Sequence, residues 1–369
     1  MSCTIQHEKI QSLQILRALA FLGIFLEHAA APVSWPKLGV SIFFVLSGFL
    51  MVYSYQNRKF PNTIKDCLFF SWTKIRKLYP LHIITMLCAV IIELTVRFLT
   101  GWSIKAVIQL ILKLLLHIFL IQTWIPYSTV NISLNGVAWY LSVTAFLYAV
   151  FPYLNSFVRK HYSRAWFWCL MVVIVQIVCC IPLANCLGFQ HPVYIWFMYY
   201  FPVFRMGDFL MGCFLGMYYI NNDKINNCKN SNASPVMWTI IECALLVITI
   251  AVYMWADCVQ STVLLAAVCN WTTVFMLLGT AWVYVFAVQN GYFTRVIQIG
   301  LLKKVGDRTS DLFLIHYIVT VSVNIFINMQ SVSLSNAMIW TISVIEFLFS
   351  YTMADYYRNH LFERAELKT

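Results

Sequence analysis

The feature that most constrains this chain is a succession of apolar runs, each about 20 residues long, the length that crosses the hydrocarbon core of a bilayer. They fall at 12–31, 38–56, 78–98, 137–156, 166–184, 195–220, 236–256, 262–287, 309–328 and 336–356. The loops between them are short, and none is fit to be a separate soluble domain. Of the 369 residues, 61% are hydrophobic and 11% charged, against roughly 45–50% and 25% in soluble domains. A water-soluble fold would have to leave large apolar patches exposed. The pattern predicts an all-α polytopic membrane protein of about ten transmembrane helices, one membrane-embedded domain over residues 1–369.

An eleventh stretch, 103–124, is interrupted by Lys105, Gln109, Lys113 and His117. Cytoplasmic loops of membrane proteins carry an excess of Lys and Arg. With ten spans and an inner N-terminus, the basic residues of 58–77, 159–164, 224–229, 295–308 and 358–368 all fall inside. Letting 103–124 cross would move every later loop to the other side and erase that bias. The charge pattern therefore predicts a re-entrant or interfacial helix at 103–124, in a protein of the cytoplasmic membrane with both termini cytoplasmic. The net charge of +11 has the same origin, so no nucleic-acid partner is expected.

Ala29-Ala30-Ala31 imitates a signal-cleavage site, yet Arg17 interrupts the run before it. Glu27 and His28 then stand where a cleavable segment is small and neutral, so a retained helix is expected. The twelve cysteines form no CxxC pair and no Cys/His zinc spacing. They read as small buried hydrophobes, and no metal is expected. The polar segment 221–235 is the clearest linker.

Ionisable residues inside spans are costly and face the bundle interior or a water-filled cavity. Arg17 and His28 are eleven residues apart, about three helical turns, so they share a face roughly 16 Å apart along the axis. Glu27 points about 100° away. Histidine can act as a general base near neutral pH, and arginine can clamp a phosphate or carboxylate. The alternative is a packing histidine and an arginine that snorkels to the interface. Lys74, Arg76 and Lys77 in KIRKLYPLH are placed either to hold a polyanionic ligand or to signal topology. Trp139 and Tyr140 fit an interfacial aromatic belt or a stacking platform for a sugar ring. Arg205 and Asp208 are three residues apart, within pairing distance on one helix. Gly212 and Gly216, like Ser47 and Gly48, allow close helix approach. His316 lies about two turns inside a span, either as a packing partner or as a catalyst.

Taken in order, LQILRALAFLGIFLEH, GVSIFFVLSGFLM, KIRKLYPLH, NGVAWYLS with FLYAVFPYL, FPVFRMGDFLMG and LFLIHY resemble the landmarks of the acyltransferase 3 family. These are integral-membrane acyltransferases that modify surface polysaccharides. The resemblance covers essentially the whole chain. It implies a ten-span bundle around a tunnel, with an acyl-CoA donor, commonly acetyl-CoA, entering from the cytoplasm. The acceptor would be a glycan or lipid-linked saccharide reached from the outer side, and O-acetylation the usual reaction. No permanently bound cofactor is implied.

Carried over residue by residue, the family's essential histidine falls on His28 and its helix-one arginine on Arg17. Its basic acyl-CoA cluster falls on Lys74, Arg76 and Lys77. Trp139, Tyr140, Arg205 and His316 are then acceptor contacts or structural support. The chain departs from the pattern in having no aspartate just before Arg17, in using mostly lysine in the basic cluster, and in having Thr144 where many members have glutamate. Two rivals stand beside this reading: a glycan or lipid transporter, and a catalytically inactive family member. The oligomeric state is not legible.

Overall fold

The computed structural model describes residues 10–56, 58, 60, 63–101, 103–226, 234–258, 272–330 and 334–362. Among these, regular structure is helical throughout. The helices are α1 (Gln11–His28), α2 (Pro36–Tyr55), α3 (Ile64–Ile75), α4 (Tyr79–Thr100), α5 (Ile104–Ile118), α6 (Ser128–Asn131), α7 (Trp139–His161) and α8 (Ala165–Leu187). They continue with α9 (Pro192–Ile195), α10 (Pro202–Asn226), α11 (Pro235–Cys258), α12 (Thr273–Val288), α13 (Tyr292–Val296), α14 (Gly300–Gln330) and α15 (Asn336–Tyr356).

The apolar side chains are distributed as in a bundle dissolved in lipid. Ile84, Leu87 and Ile91 on α4, Ile240 and Val247 on α11, and Val344, Ile345 and Leu348 on α15 all face outward. In water such a surface would drive aggregation; in hydrocarbon it is the ordinary exterior. The chain is a polytopic α-helical membrane protein. Six helical stretches among the described residues are long and apolar enough to cross, and one of them, 136–187, contains both α7 and α8.

The ten-span reading needs helices that this criterion passes over, for an identifiable reason. Helices α1 and α10 carry Arg17, Glu27, Arg205 and Asp208, and they pack at the centre, where protein rather than lipid surrounds them. Twelve of the 18 residues of α1 are buried. α2 packs on α1, α10 and α12, and α14 packs along α1. The eighth run, 262–287, has its first ten residues (262–271) outside the described part; α12 begins at Thr273. Residues 227–233 of the 221–235 linker likewise lie outside the described residues.

The odd segment forms α5, whose 15 residues rise about 22 Å, short of the roughly 30 Å hydrocarbon core. Its C-terminal end is anchored: Tyr79 Oη donates to the Ile118 carbonyl at 2.9 Å, and His82 Nε2 lies 3.0 Å from the His117 carbonyl.

Besides the short helices α6, α9 and α13, one helix of 12 residues was not expected. α3 begins on a Thr63 cap that accepts from the Asp66 N–H at 3.2 Å, and packs Phe70 and Ser71 against α7. The KIRKLYPLH stretch is therefore split: Lys74 closes α3, Arg76 and Lys77 form the turn, and α4 starts at Tyr79. Pro80 stands in the first turn of α4, where its missing N–H costs no helical hydrogen bond. The run at 195–220 is also split. A π-helical turn at Trp196–Tyr200 ends at extended Phe201, before Pro202 opens α10.

Glu242 holds a short helix in place. It is 1% exposed and accepts from Phe293 N at 2.9 Å, Thr294 N at 3.3 Å and Thr294 Oγ1 at 2.7 Å, capping the start of α13. Replacing it with leucine would strand these donors. A loss of about 1–3 kcal/mol is expected, read as a lowered melting temperature in detergent, and Glu242→Gln should lose less.

Candidate active site

The position of His28 is set by how α1 ends. The Ala31 N–H donates to the Leu26 carbonyl at 2.9 Å and the Ala30 N–H to Glu27 at 3.1 Å, with Ala30 at φ 52°. This is the Schellman arrangement, which stops a helix sharply and usually has glycine at the left-handed position. His28 is thus the last helical residue. Beyond it the chain turns back along α1, and Trp35 Nε1 donates to the Leu19 carbonyl at 3.1 Å.

Along the α1 face that carries Arg17 and His28, Phe21 and Phe25 occupy the intermediate turns. Both meet His316 of α14, with ring centroids 5.2 and 6.0 Å away. His28 itself lies 5.4 Å from His316 and 5.2 Å, edge to face, from Tyr317. His316 is fully buried, while His28 and Tyr317 are half-buried. The approach of Tyr317 requires Gly136: a Cβ there would lie 2.5 Å from the phenol oxygen. Glu27, on the neighbouring face, is exposed and accepts from Ser34 Oγ at 2.5 Å.

Trp139 and Tyr140 do not form a surface belt. Trp139 is 6% exposed and packs on Tyr200 at 4.9 Å and Tyr199 at 5.3 Å. Tyr140 stacks on Phe44 at 4.6 Å and reaches Phe313 at 5.3 Å; Phe313 in turn lies 5.9 Å from His316. Thr144 spends its hydroxyl on the Tyr140 carbonyl at 2.7 Å. Arg205 is wholly buried: Nε donates to the Tyr199 carbonyl at 2.8 Å, Nη1 lies 3.5 Å from Asp208 Oδ1, and the guanidinium sits 4.5 Å over the Tyr199 ring. It thereby fixes the π-helical turn that presents Tyr199 and Tyr200.

Arg17 lies within electrostatic reach of the Tyr140 and Tyr148 phenols, and Tyr148 shares a hydrogen bond with Ser47 at 3.0 Å. The rings of Tyr140, Phe313, His316 and His28 therefore form a continuous wall along the interior above Arg17. The predicted basic trio is divided. Lys74 contacts Tyr55 Oη and sits 4.4 Å over the Tyr55 ring, whereas Arg76 and Lys77 are exposed in the turn. Two cations that sequence reading did not single out join Lys74 instead. Arg58 lies 5.6 Å from the Tyr55 ring, and Arg159 donates to the Tyr55 carbonyl at 3.2 Å. Their positions in sequence gave no sign of this convergence; only the packing of α7 against α2 and α3 brings Arg159 there.

The fold and this site define an integral-membrane protein with a titratable, aromatic-lined interior and a cationic cluster to one side of it. The family profile described as an acyltransferase domain matches residues 10–356, and the chain belongs to the acyltransferase 3 family. It is similar to the acyltransferase MdmB of Streptomyces mycarofaciens, 27% identical over 238 residues. That alignment covers 57% of this chain and 57% of the relative, less than two thirds of its length. No solved structure matches.

Proposed function

We propose that this protein moves an acyl group, acetyl in the simplest case, from acyl-CoA to a hydroxyl of a cell-surface or exported glycan. It would do so in the cytoplasmic membrane, with both termini on the cytoplasmic side. The observation that carries this reading is the half-buried His28 at the end of a central helix, ring to ring with His316 and Tyr317, in a chain of the acyltransferase 3 family.

Arg58, Lys74 and Arg159 around Tyr55 suit the nucleotide end of the donor, cations for phosphates and rings for the base. The pantetheine arm would run past Arg17 toward His28. There His28 takes the proton of the acceptor hydroxyl as its oxygen attacks the thioester carbonyl. The C–O bond forms, the C–S bond breaks, and the proton passes to the departing thiolate, which leaves as CoA thiol. A covalent acyl-histidine is the other route open to the same residue. The half-buried rings of Tyr200 and Tyr317, the latter directly beside His28, offer aromatic faces for a saccharide acceptor, with Trp139 packed behind Tyr200. No metal and no permanently bound cofactor enters this scheme.

The test is CoA thiol release by purified protein given acetyl-CoA and candidate glycans, with mass spectrometry of the glycan. Stoichiometric thiol and a 42 Da gain, the mass about one acetyl adds per hydroxyl modified, are expected. Movement of glycan across vesicles without thiol release would favour a transporter instead. Lys74→Ala and Arg159→Ala should each raise KM for acetyl-CoA about tenfold, some 1.4 kcal/mol, with kcat within about threefold.

A further inference from the structure

His316 carries an atom that its surroundings leave unexplained. Its Nδ1 lies 3.0 Å from the Leu312 carbonyl one turn back; a carbonyl only accepts, so Nδ1 holds the proton. In the neutral ring, Nε2 then carries a lone pair. Among the described residues that nitrogen is buried without a hydrogen-bond partner, and such an atom in an apolar interior calls for a donor. Four rings pack against His316: Phe21, Phe25, Phe313 and His28. Of these, His28 alone has a nitrogen to offer.

We infer that His316 is the positioning residue for His28: one N–H of His28 donates to His316 Nε2, which fixes the tautomer and turns the other His28 nitrogen, as a lone pair, toward the acceptor hydroxyl. The inference rests on the reading of His28 as the base. A general base of this kind needs a third group to orient it. Carboxylates usually serve, but here the nearby candidates are otherwise engaged or missing. Glu27 takes the Ser34 hydroxyl at the surface, and position 144 is a threonine bonded to its own helix. When His28 receives the hydroxyl proton, the N–H that faces His316 stays donated to the Nε2 lone pair, so His316 steadies the His28 imidazolium without taking its proton. His28 then delivers the hydroxyl proton to the CoA thiolate, and no proton is gained or lost by the pair.

Two substitutions separate this role from simple packing. Asparagine reproduces the Nδ1 donor and so the Leu312 bond. Glutamine places an amide oxygen near the Nε2 position and so keeps the acceptor. Protein with 15N-labelled histidine in detergent should show one His28 tautomer in the wild type and in His316→Gln. His316→Asn and His316→Ala should show a mixture. Thiol release from acetyl-CoA, with methyl glycosides as acceptor probes, should follow the same order. His316→Gln should stay within about tenfold of wild-type kcat, and the other two should fall at least about 100-fold with KM unchanged.

A His28 tautomer indifferent to His316→Ala, or an asparagine variant that outperforms glutamine, overturns the inference. His28→Ala separates the two ideas. Loss of thiol release in that variant, with the tautomer unmoved by His316→Ala, rejects the positioning role alone. Full release by His28→Ala rejects the base.

Discussion

Replacing His28 with alanine should abolish acyl transfer while leaving the protein folded. A positioned general base contributes about 10²–10⁴ in rate, and a nucleophilic histidine would leave no route at all. The variant should therefore lose at least about 100-fold in kcat, read as thiol release from acetyl-CoA and as acetyl groups missing from the glycan. Folding is expected to survive because the end of α1 is held by backbone groups. The bonds from Ala30 and Ala31 to Glu27 and Leu26 do not involve the imidazole, and alanine favours helix more than histidine does. The side chain is half-buried, so its removal enlarges an existing opening rather than emptying a closed core. A melting temperature within a few degrees of wild type is the control. Wild-type activity in a folded His28→Ala variant would remove the site from the mechanism. A trapped acyl group on His28 in single-turnover experiments would distinguish the carrier from the base.

Much of this site was legible in the sequence because helix geometry is regular. The spacing of Arg17 and His28 fixes their common face, and Phe21 and Phe25 fill that face between them. The close-packing role read from Gly48 and Gly212 needed only the rule that small residues let membrane helices approach. What was not legible depended on how distant segments meet. Trp139 and Tyr140 resemble belt residues in sequence, since hydropathy cannot distinguish a membrane interface from a protein interior. Their burial follows from the Tyr199-Tyr200 turn and from Phe44, which lie far along the chain. Tyr317 touches His28 across almost the whole length of the sequence, and Arg58 and Arg159 meet at Tyr55 only through tertiary packing. The same limit explains the spans that hydropathy ranks lowest. α1 and α10 carry the ionisable residues because other helices shield them from lipid, so two of the helices that build the site are ones whose apolar signal is weak.

The second large effect is expected at Gly212, where α10 meets α2. A Cβ on Gly212 would fall on the Val45 carbonyl oxygen, 2.7 Å from its carbon and 3.0 Å from Phe49 N. The contact is reciprocal: a Cβ on Gly48 would meet the Phe209 carbonyl in the same way, 3.0 Å from Cys213 N. Because these neighbours are backbone atoms, no rotamer change relieves the clash, and the two helices must move apart. Overpacking in a core costs about 1–3 kcal/mol when side chains can adjust; Gly212→Val should therefore cost at least about 3 kcal/mol. Activity should fall with stability, since Phe43 and Phe44 of α2 pack on Tyr140 and Arg205 of α10 holds the Tyr199-Tyr200 turn, so separating the two helices withdraws support from the wall above Arg17. Thermal unfolding in detergent gives the measure, with Gly300→Ala as the control, because nothing lies within 4 Å of that position and its change should stay within about 0.5 kcal/mol. A Gly212→Val protein that melts with the control would show that α2 and α10 do not touch backbone to backbone, and the arrangement of the whole interior would have to be redrawn.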